Sequence, residues 1–302
     1  MTTGNSISGR PDSNRGPRRP ERRALPGCAT PRRTVSIPQQ QRRYRRGVPA
    51  PTSEVLAELN RILEPERFED YCVNGLQVPG SDTVSTVVTG VSAHAELFHL
   101  AAAQQADLLL VHHGIFWGPG VRAVDAQLKR RLQILFDANI ALAAYHLPLD
   151  AHLEHGNNAL LARQLGATGV LKPFAPYRGQ ATGCIATFAD GGLSAAELFS
   201  RIQVATAREP LVFEAGPPTV TRLAVVTGAG ADYLPEAQAA GAQALVTGEV
   251  SERTMAQARE LGLHAIAAGH YATETFGVKR LGELLSERFA LKHMFIDVPN
   301  PV

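Results

Sequence analysis

Two adjacent histidines, His112 and His113, follow directly on the apolar run LLLV in the stretch DLLLVHHGIFWGPG (residues 107–120). Imidazole is the commonest metal ligand and titrates near neutrality. A pair of them where a buried strand ends therefore suggests metal or proton chemistry. Two further apolar runs end in the same way. IALAAY (140–145) leads into His146, with Asp150 four residues on, and HAIAAG (264–269) leads into His270, with Glu274 four residues on. Spaced i and i+4 on a helix, His270 and Glu274 share a face. Ligands of an open parallel sheet gather beyond the carboxyl ends of its strands, so all three strand ends should deliver their polar groups to one edge.

Any single histidine of this set could be a hydrogen-bonded structural residue. Their coincidence favours a common partner, because buried polar groups need partners and one metal ion satisfies several. His112, His113, Asp150, His270 and Glu274 are too many for one tetrahedral catalytic zinc that keeps an open position. They suit two divalent ions bridged by a carboxylate, and Glu274 is the candidate bridge. His113 and Asp150 are expected on one ion, His112 and His270 on the other. Imidazole and carboxylate donors without cysteine fit Zn, Mn, Fe, Co or Ni. Paired ions of this kind, ~3.5–4 Å apart, activate water at neutral pH and polarise the atom under attack, which is hydrolytic chemistry.

The elements that must position these residues alternate strand with helix. VSTVVTGVS, ADLLLVHHG and IALAAYHLPLD read as strands, separated by the helices AHAELFHLAAAQQ and AQLKRRLQILFDAN. Ahead of them, TSEVLAELNRIL puts Val55, Leu56, Leu59, Ile62 and Leu63 on one helical face. Such alternation implies parallel pairing through helical crossovers, hence an α/β fold with a mainly parallel sheet between helical layers. Residues 48–171 read as a first lobe and 172–220 as a smaller inserted α+β lobe. Residues 221–302, where alternation resumes, complete the metal site.

The 302 residues carry a net charge of +2 that conceals a division. Residues 1–50 hold twelve arginines against Asp12 and Glu21. The remainder is mildly acidic and gives no support for nucleic-acid binding. Residues 1–47, rich in Arg, Pro, Gly and Ser without apolar periodicity, read as a disordered basic extension. It could be a basic arm, a transit peptide or translated leader sequence ahead of a true start near Val48. No apolar run approaches the ~20 residues a membrane helix needs. Three cysteines without a CxxC pair fit a reducing, cytoplasmic setting.

The stretches DYCVNGLQVPG (70–80), VTGVSAHAELF (88–98), ADLLLVHHGIFWG (106–118), YHLPLDAHLEHGNNALLARQLG (145–166), ALVTGEVSERTMAQARELGLHAIAAGHYATETFGVKRLGELL (244–285) and FIDVPNP (295–301) together resemble the NIF-three-like, YbgI-type family of dinuclear-metal proteins. Its members are also called GTP cyclohydrolase I type 2 homologues. The likeness runs from about Val48 to Val302. It implies a two-lobed α/β protomer, a toroidal homohexamer with the metal sites facing inward, and two divalent ions per subunit on His112, His113, Asp150, His270 and Glu274. His146 also matches, as a residue beside the metals and a candidate catalytic acid or base. The first 47 residues have no counterpart.

The leading functional reading is a metal-dependent hydrolase of a small nucleotide-like or phosphorylated molecule. Its rival is a non-catalytic metal-loaded ring that acts as scaffold or regulator. Ring-opening hydrolysis of GTP would require a carboxylate to recognise guanine, and Glu249 is the first candidate. The turn VTGAGADYL (226–234) resembles a phosphate cradle but lacks the third glycine of a dinucleotide fingerprint and the lysine of a P-loop. Asn157 or Asn158 is expected to cap a helix, and Phe116 and Trp117 to fill core.

Overall fold

The computed structural model describes residues 48–118 and 123–302. The expected basic extension, residues 1–47, lies outside the described residues. The first half of the described chain forms β1 (Ala50–Pro51), α1 (Thr52–Leu63), β2 (Gly75–Val78), β3 (Thr83–Val84), β4 (Thr86–Ser92), α2 (Ala95–Ala103), β5 (Leu108–His113), α3 (Ala126–Asp137), β6 (Ala141–Ala144), α4 (Leu147–Ala151) and α5 (Asn157–Gln164). The second half forms β7 (Lys172–Tyr177), β8 (Gln180–Thr187), β9 (Leu193–Ser194), α6 (Ala195–Thr206), β10 (Leu211–Phe213), β11 (Thr219–Val220), β12 (Arg222–Val226), α7 (Leu234–Ala239), β13 (Ala244–Thr247), α8 (Thr254–Leu261), β14 (His264–Ala267), α9 (His270–Thr273), α10 (Thr275–Phe289) and β15 (Lys292–Phe295).

β5 is apolar along its whole first part because both of its faces are covered, as a buried parallel strand requires. Leu108 and Leu110 share a core with Val55 and Leu59 of α1 and Val278 and Leu281 of α10. Leu109 and Val111 share another with Leu97 and Phe98 of α2 and Leu135 of α3. The two-residue period of a strand thus sends alternate side chains into opposite helical layers. The sheet runs β15-β4-β5-β6-β2, with the first three pairings parallel and β2 an antiparallel edge. This is the expected α/β/α layering, and β15 brings the end of the chain back beside β4.

A second sheet runs β10-β14-β13-β12-β8-β7. Its centre, β12-β13-β14, is parallel, whereas β7, β8 and β10 join antiparallel. Cys184, Leu223, Val225 and Val246 pack with Leu161 of α5 and Leu198 of α6. The other face, with Ala224, Leu245 and Ala265, packs on α7 and α8. Residues 172–220 were expected as an inserted lobe, yet they contribute β7, β8 and β10 to the same sheet as β12–β14. The reason lies in backbone pairing: β8 bonds β7 on one edge and β12 on the other, which joins the segment to this sheet. The β7–β8 hairpin turns through Arg178 and Gly179, both at positive φ (46° and 84°), the type I′ conformation that suits strand twist. No helix among the described residues is long and apolar enough to cross a membrane.

Candidate metal centre

β5 ends with His112 and His113 on opposite sides of the strand, as alternation demands. His112 lies on the α10 side and is fully buried. Its Nδ1 donates to the carbonyl of Tyr145, 3.0 Å away, just past β6. That bond turns Nε2 inward, 3.5 Å from Asp150 Oδ2 and 3.6 Å from Glu274 Oε1. His113 lies on the α2 side, with Nδ1 3.1 Å from the Ser92 hydroxyl of β4. Its Nε2 reaches within 3.1 Å of Glu274 Oε2. Neighbouring histidines on opposite faces therefore meet the two oxygens of one carboxylate.

The remaining groups arrive from the second strand end and the second sheet. His270 opens α9. Its Nδ1 is 2.6 Å from Glu249 Oε1, and its Nε2 is 3.2 Å from Glu274 Oε2. Glu274, at the junction of α9 and α10, is 2% exposed. Asp150, in α4, has one oxygen tied down: Oδ1 accepts from Asn157 Nδ2 at 2.9 Å and from Thr227 Oγ1 at 3.3 Å. Its Oδ2 is left for the cluster. His146 gives Nδ1 to Asp70 Oδ1 at 2.9 Å, and its ring stands 5.0 Å from that of His112 and 5.6 Å from that of His113.

One arrangement recurs four times: each imidazole engages an outer partner through Nδ1 and turns Nε2 toward the centre. Metal-ligating histidines are oriented in this way by their outer partners. The inner atoms also approach one another without bonding. His112 Nε2 and Glu274 Oε2 are buried and have no hydrogen-bond partner, since the short approaches to Glu274 lack hydrogen-bond alignment. Orphaned buried polar atoms are costly, and donor atoms that converge on a point rather than on each other fit an ion. His112, Asp150 and Glu274 form one group that could hold a metal ion, and His113, His270 and Glu274 another. His112, His113 and His146 form a third.

The grouping differs from the expected one, in which His113 accompanied Asp150 and His112 accompanied His270. The tethers explain the exchange. His112 is bound to the last carbonyl before His146, on the side from which Asp150 emerges, while Ser92 of β4 draws His113 the other way.

Electrostatics agree with a site built for positive charge. Burial acts to lower His112, but Asp150 and Glu274 outweigh it and raise its pKa to about 9. Burial also acts to lower His270, and Glu274 and Glu249 raise it to about 9. His113 falls to about 4, chiefly through burial. Burial acts to raise Glu274, yet the charges of His113 and His112 hold it well below the usual carboxylate range. Asp150 is raised, by burial first.

Several residues here escaped the sequence reading. Asp70 is a buried carboxylate that accepts from His146 Nδ1, from Asn74 Nδ2 at 2.9 Å, and from the backbone N–H groups of Cys72 and Leu147 at 3.0 and 2.9 Å. Asn157 and Asn158 are not caps. Asn157 braces Asp150 and accepts from Gly277 N, and Asn158 links Asp150 O, Thr182 O and Thr227 N. Their signal, two adjacent asparagines seven and eight residues beyond a candidate ligand, was present but ambiguous. Glu249, expected as a base-recognising carboxylate, engages His270 through Oε1. Phe116 and Trp117 both pack against the core as expected, and Trp117 also walls a cavity beside His113, its ring 5.8 Å away. The turn after β12 serves close approach: at Gly228, φ +66°, a Cβ would lie 2.5 Å from Glu274 Oε1.

Residues 50–301 match the Duf34/NIF3 (NGG1p interacting factor 3) family. A Pseudomonas aeruginosa protein named GTP cyclohydrolase 1 type 2 homolog is 45% identical over 251 residues, 82% of this chain and 98% of that relative. The Escherichia coli K12 protein of the same name is 43% identical over 246 residues, 80% of this chain and 96% of that one. Among solved structures the fold is similar to that of the protein ybgI, with a TM-score of 0.77 and 40% identity over 83% of this chain and 100% of that one. It is also similar to TTHA1606 from Thermus thermophilus, with a TM-score of 0.76 and 38% identity over the same shares.

Proposed function

The chain belongs to the Duf34/NIF3 family, and on that premise we propose that it is a metal-dependent hydrolase of a small nucleotide-like or phosphorylated molecule, with two divalent ions per protomer. The observation that carries this reading is the convergence of four Nε2 atoms and two carboxylates on one buried place, with His112 Nε2 and Glu274 Oε2 left unpartnered. His112, Asp150 and Glu274 would hold one ion and His113, His270 and Glu274 the other, so that Glu274 gives an oxygen to each. When bound, the ions would supply Lewis acidity and water activated at neutral pH.

The chain's own groups supply the rest. Asp70 keeps the proton of His146 on Nδ1, so Nε2 faces the cluster as a proton acceptor. Asn157 and Thr227 hold Asp150, and Glu249 holds His270, so the donors need little rearrangement when loaded. Cavities of about 300 and 390 Å³ reach the cluster, which favours an enzyme over a closed metal-loaded scaffold. The name of the relatives suggests chemistry on a guanine nucleotide, for which Glu249, bonded to His270 through Oε1 only, is the candidate base-recognising carboxylate.

The test is a screen of the purified chain, loaded in turn with Zn, Mn, Fe, Co or Ni, against nucleotides and phosphate esters. Metal-dependent turnover is expected, falling roughly 100-fold or more in His146→Ala with the ions retained. Absence of turnover with every ion, or full activity in His146→Ala, would count against the hydrolase or against the role of His146 respectively.

A further inference from the structure

The two cavities beside the cluster differ in charge. The one of about 300 Å³ is lined by Asp150, Asp232 and Glu274 together with Tyr71, Tyr177 and Tyr233. The one of about 390 Å³ is lined by Ser92, His113, Trp117 and Arg131. Among the described residues that line either cavity, Arg131 is the only lysine or arginine. We propose that the second cavity is a subsite for a phosphate group of the substrate, recognised by Arg131 and Ser92. The proposal rests on the hydrolase reading for the identity of the substrate.

Arg131 lies on α3 and is half-buried. Among the described residues no carboxylate pairs with it. A cation drawn partly out of water without a counter-charge is unfavourable until an anion arrives. The guanidinium fork presents parallel N–H groups that match two oxygens of a phosphate.

Ser92 supplies the second donor through the chemistry of His113. That ring directs Nε2 at the cluster, and when an ion takes Nε2 the proton of the ring resides on Nδ1. The Ser92 oxygen, 3.1 Å away, then accepts from Nδ1–H, and the hydroxyl hydrogen of Ser92 is free to point into the cavity it lines. Two donors of different kinds therefore face one space next to the cluster. The other cavity is lined by Asp232 and by no lysine or arginine, so the asymmetry sets which end of the substrate goes where.

Trp117 is the only tryptophan in the chain, and it walls this cavity, so its emission reports on occupancy. Inorganic phosphate is titrated into the full chain, both metal-loaded and after chelation, because bound ions could take up phosphate themselves. A saturable emission change is expected in both arms. Arg131→Ala should weaken it at least about tenfold in the chelated arm, Arg131→Lys should fall between, and Ser92→Ala should weaken it to a lesser degree in the metal-loaded arm. Circular dichroism and ion content of the Arg131 variants should match wild type. No saturable change in the chelated wild type, or equal half-saturation in Arg131→Ala and wild type, would overturn the subsite. Elemental analysis separates the two readings. Arg131-dependent phosphate binding by a chain that takes up no metal would sink the hydrolase and leave the subsite, whereas metal-dependent turnover without Arg131-dependent phosphate binding would do the reverse.

Discussion

Glu274 is held by nothing but the groups it would share with ions: three Nε2 atoms approach it, and none forms an aligned hydrogen bond with Oε2. Its position depends on Gly228, whose missing side chain leaves room for Oε1. Gly228→Ala is expected to displace that carboxylate and to weaken metal retention against a chelator, with the fold kept. Unchanged retention would show that Glu274 has slack. Asp150 depends likewise on Asn157. Asn157→Ala should cost roughly 10- to 100-fold in metal affinity, read by chelator competition, and an unaltered affinity would contradict the bracing role. The five residues that cluster were legible because strand ends and i,i+4 spacing mark them locally. Asp70 was not, since its partner lies far away in sequence, and Glu249 and the asparagines were noticed but given other roles because their own partners carry no local mark. Asp70 is 76 residues from His146 and Asn157 is 120 from Gly277.

α10 and β15 support the first sheet through one tight contact. Gly282 stands mid-helix, where glycine ordinarily costs about 1 kcal/mol relative to alanine, but a Cβ there would overlap the His293 imidazole. His293 Nε2 also shares a 2.9 Å hydrogen bond with Thr89 Oγ1 of β4. Gly282→Ala should therefore destabilise the fold by about 1–3 kcal/mol, as overpacking does, rather than stabilise a helix. Urea unfolding checks the sign. In the folded chain burial lowers His293 from 6.5 to about 4, with Glu283 opposing. The unfolded chain then takes up the proton first, so the stability from neutral His293 is complete above about pH 6.5 and is lost as pH falls toward 4. Between pH 7 and pH 5 the wild type should lose about 2 kcal/mol more than His293→Gln, and equal losses would refute the assignment. At this scale the first sheet was readable from alternation. The second was less so, because the pairing of β8 with β12 is set by backbone edges that carry no local sequence mark.

Across the whole molecule, the cluster draws on both sheets: His112 and His113 come from β5, His146 and Asp150 from the segment after β6, and His270 and Glu274 from the segment after β14. Neither sheet alone supplies a complete set of donors. Family resemblance predicts that six protomers close into a ring. Light scattering of the full chain should then give about six times the 32.4 kDa protomer mass, and a monomer at micromolar concentration would contradict it. The central claim, two ions bridged by Glu274, is tested most directly by elemental analysis of the purified, metal-loaded chain beside Glu274→Gln. That substitution keeps the shape of the bridge and removes the charge that offsets two cations at close range. Two ions per protomer in the wild type and one or none in the variant are the expected result. One or none in the wild type, or two retained in Glu274→Gln, would contradict the account.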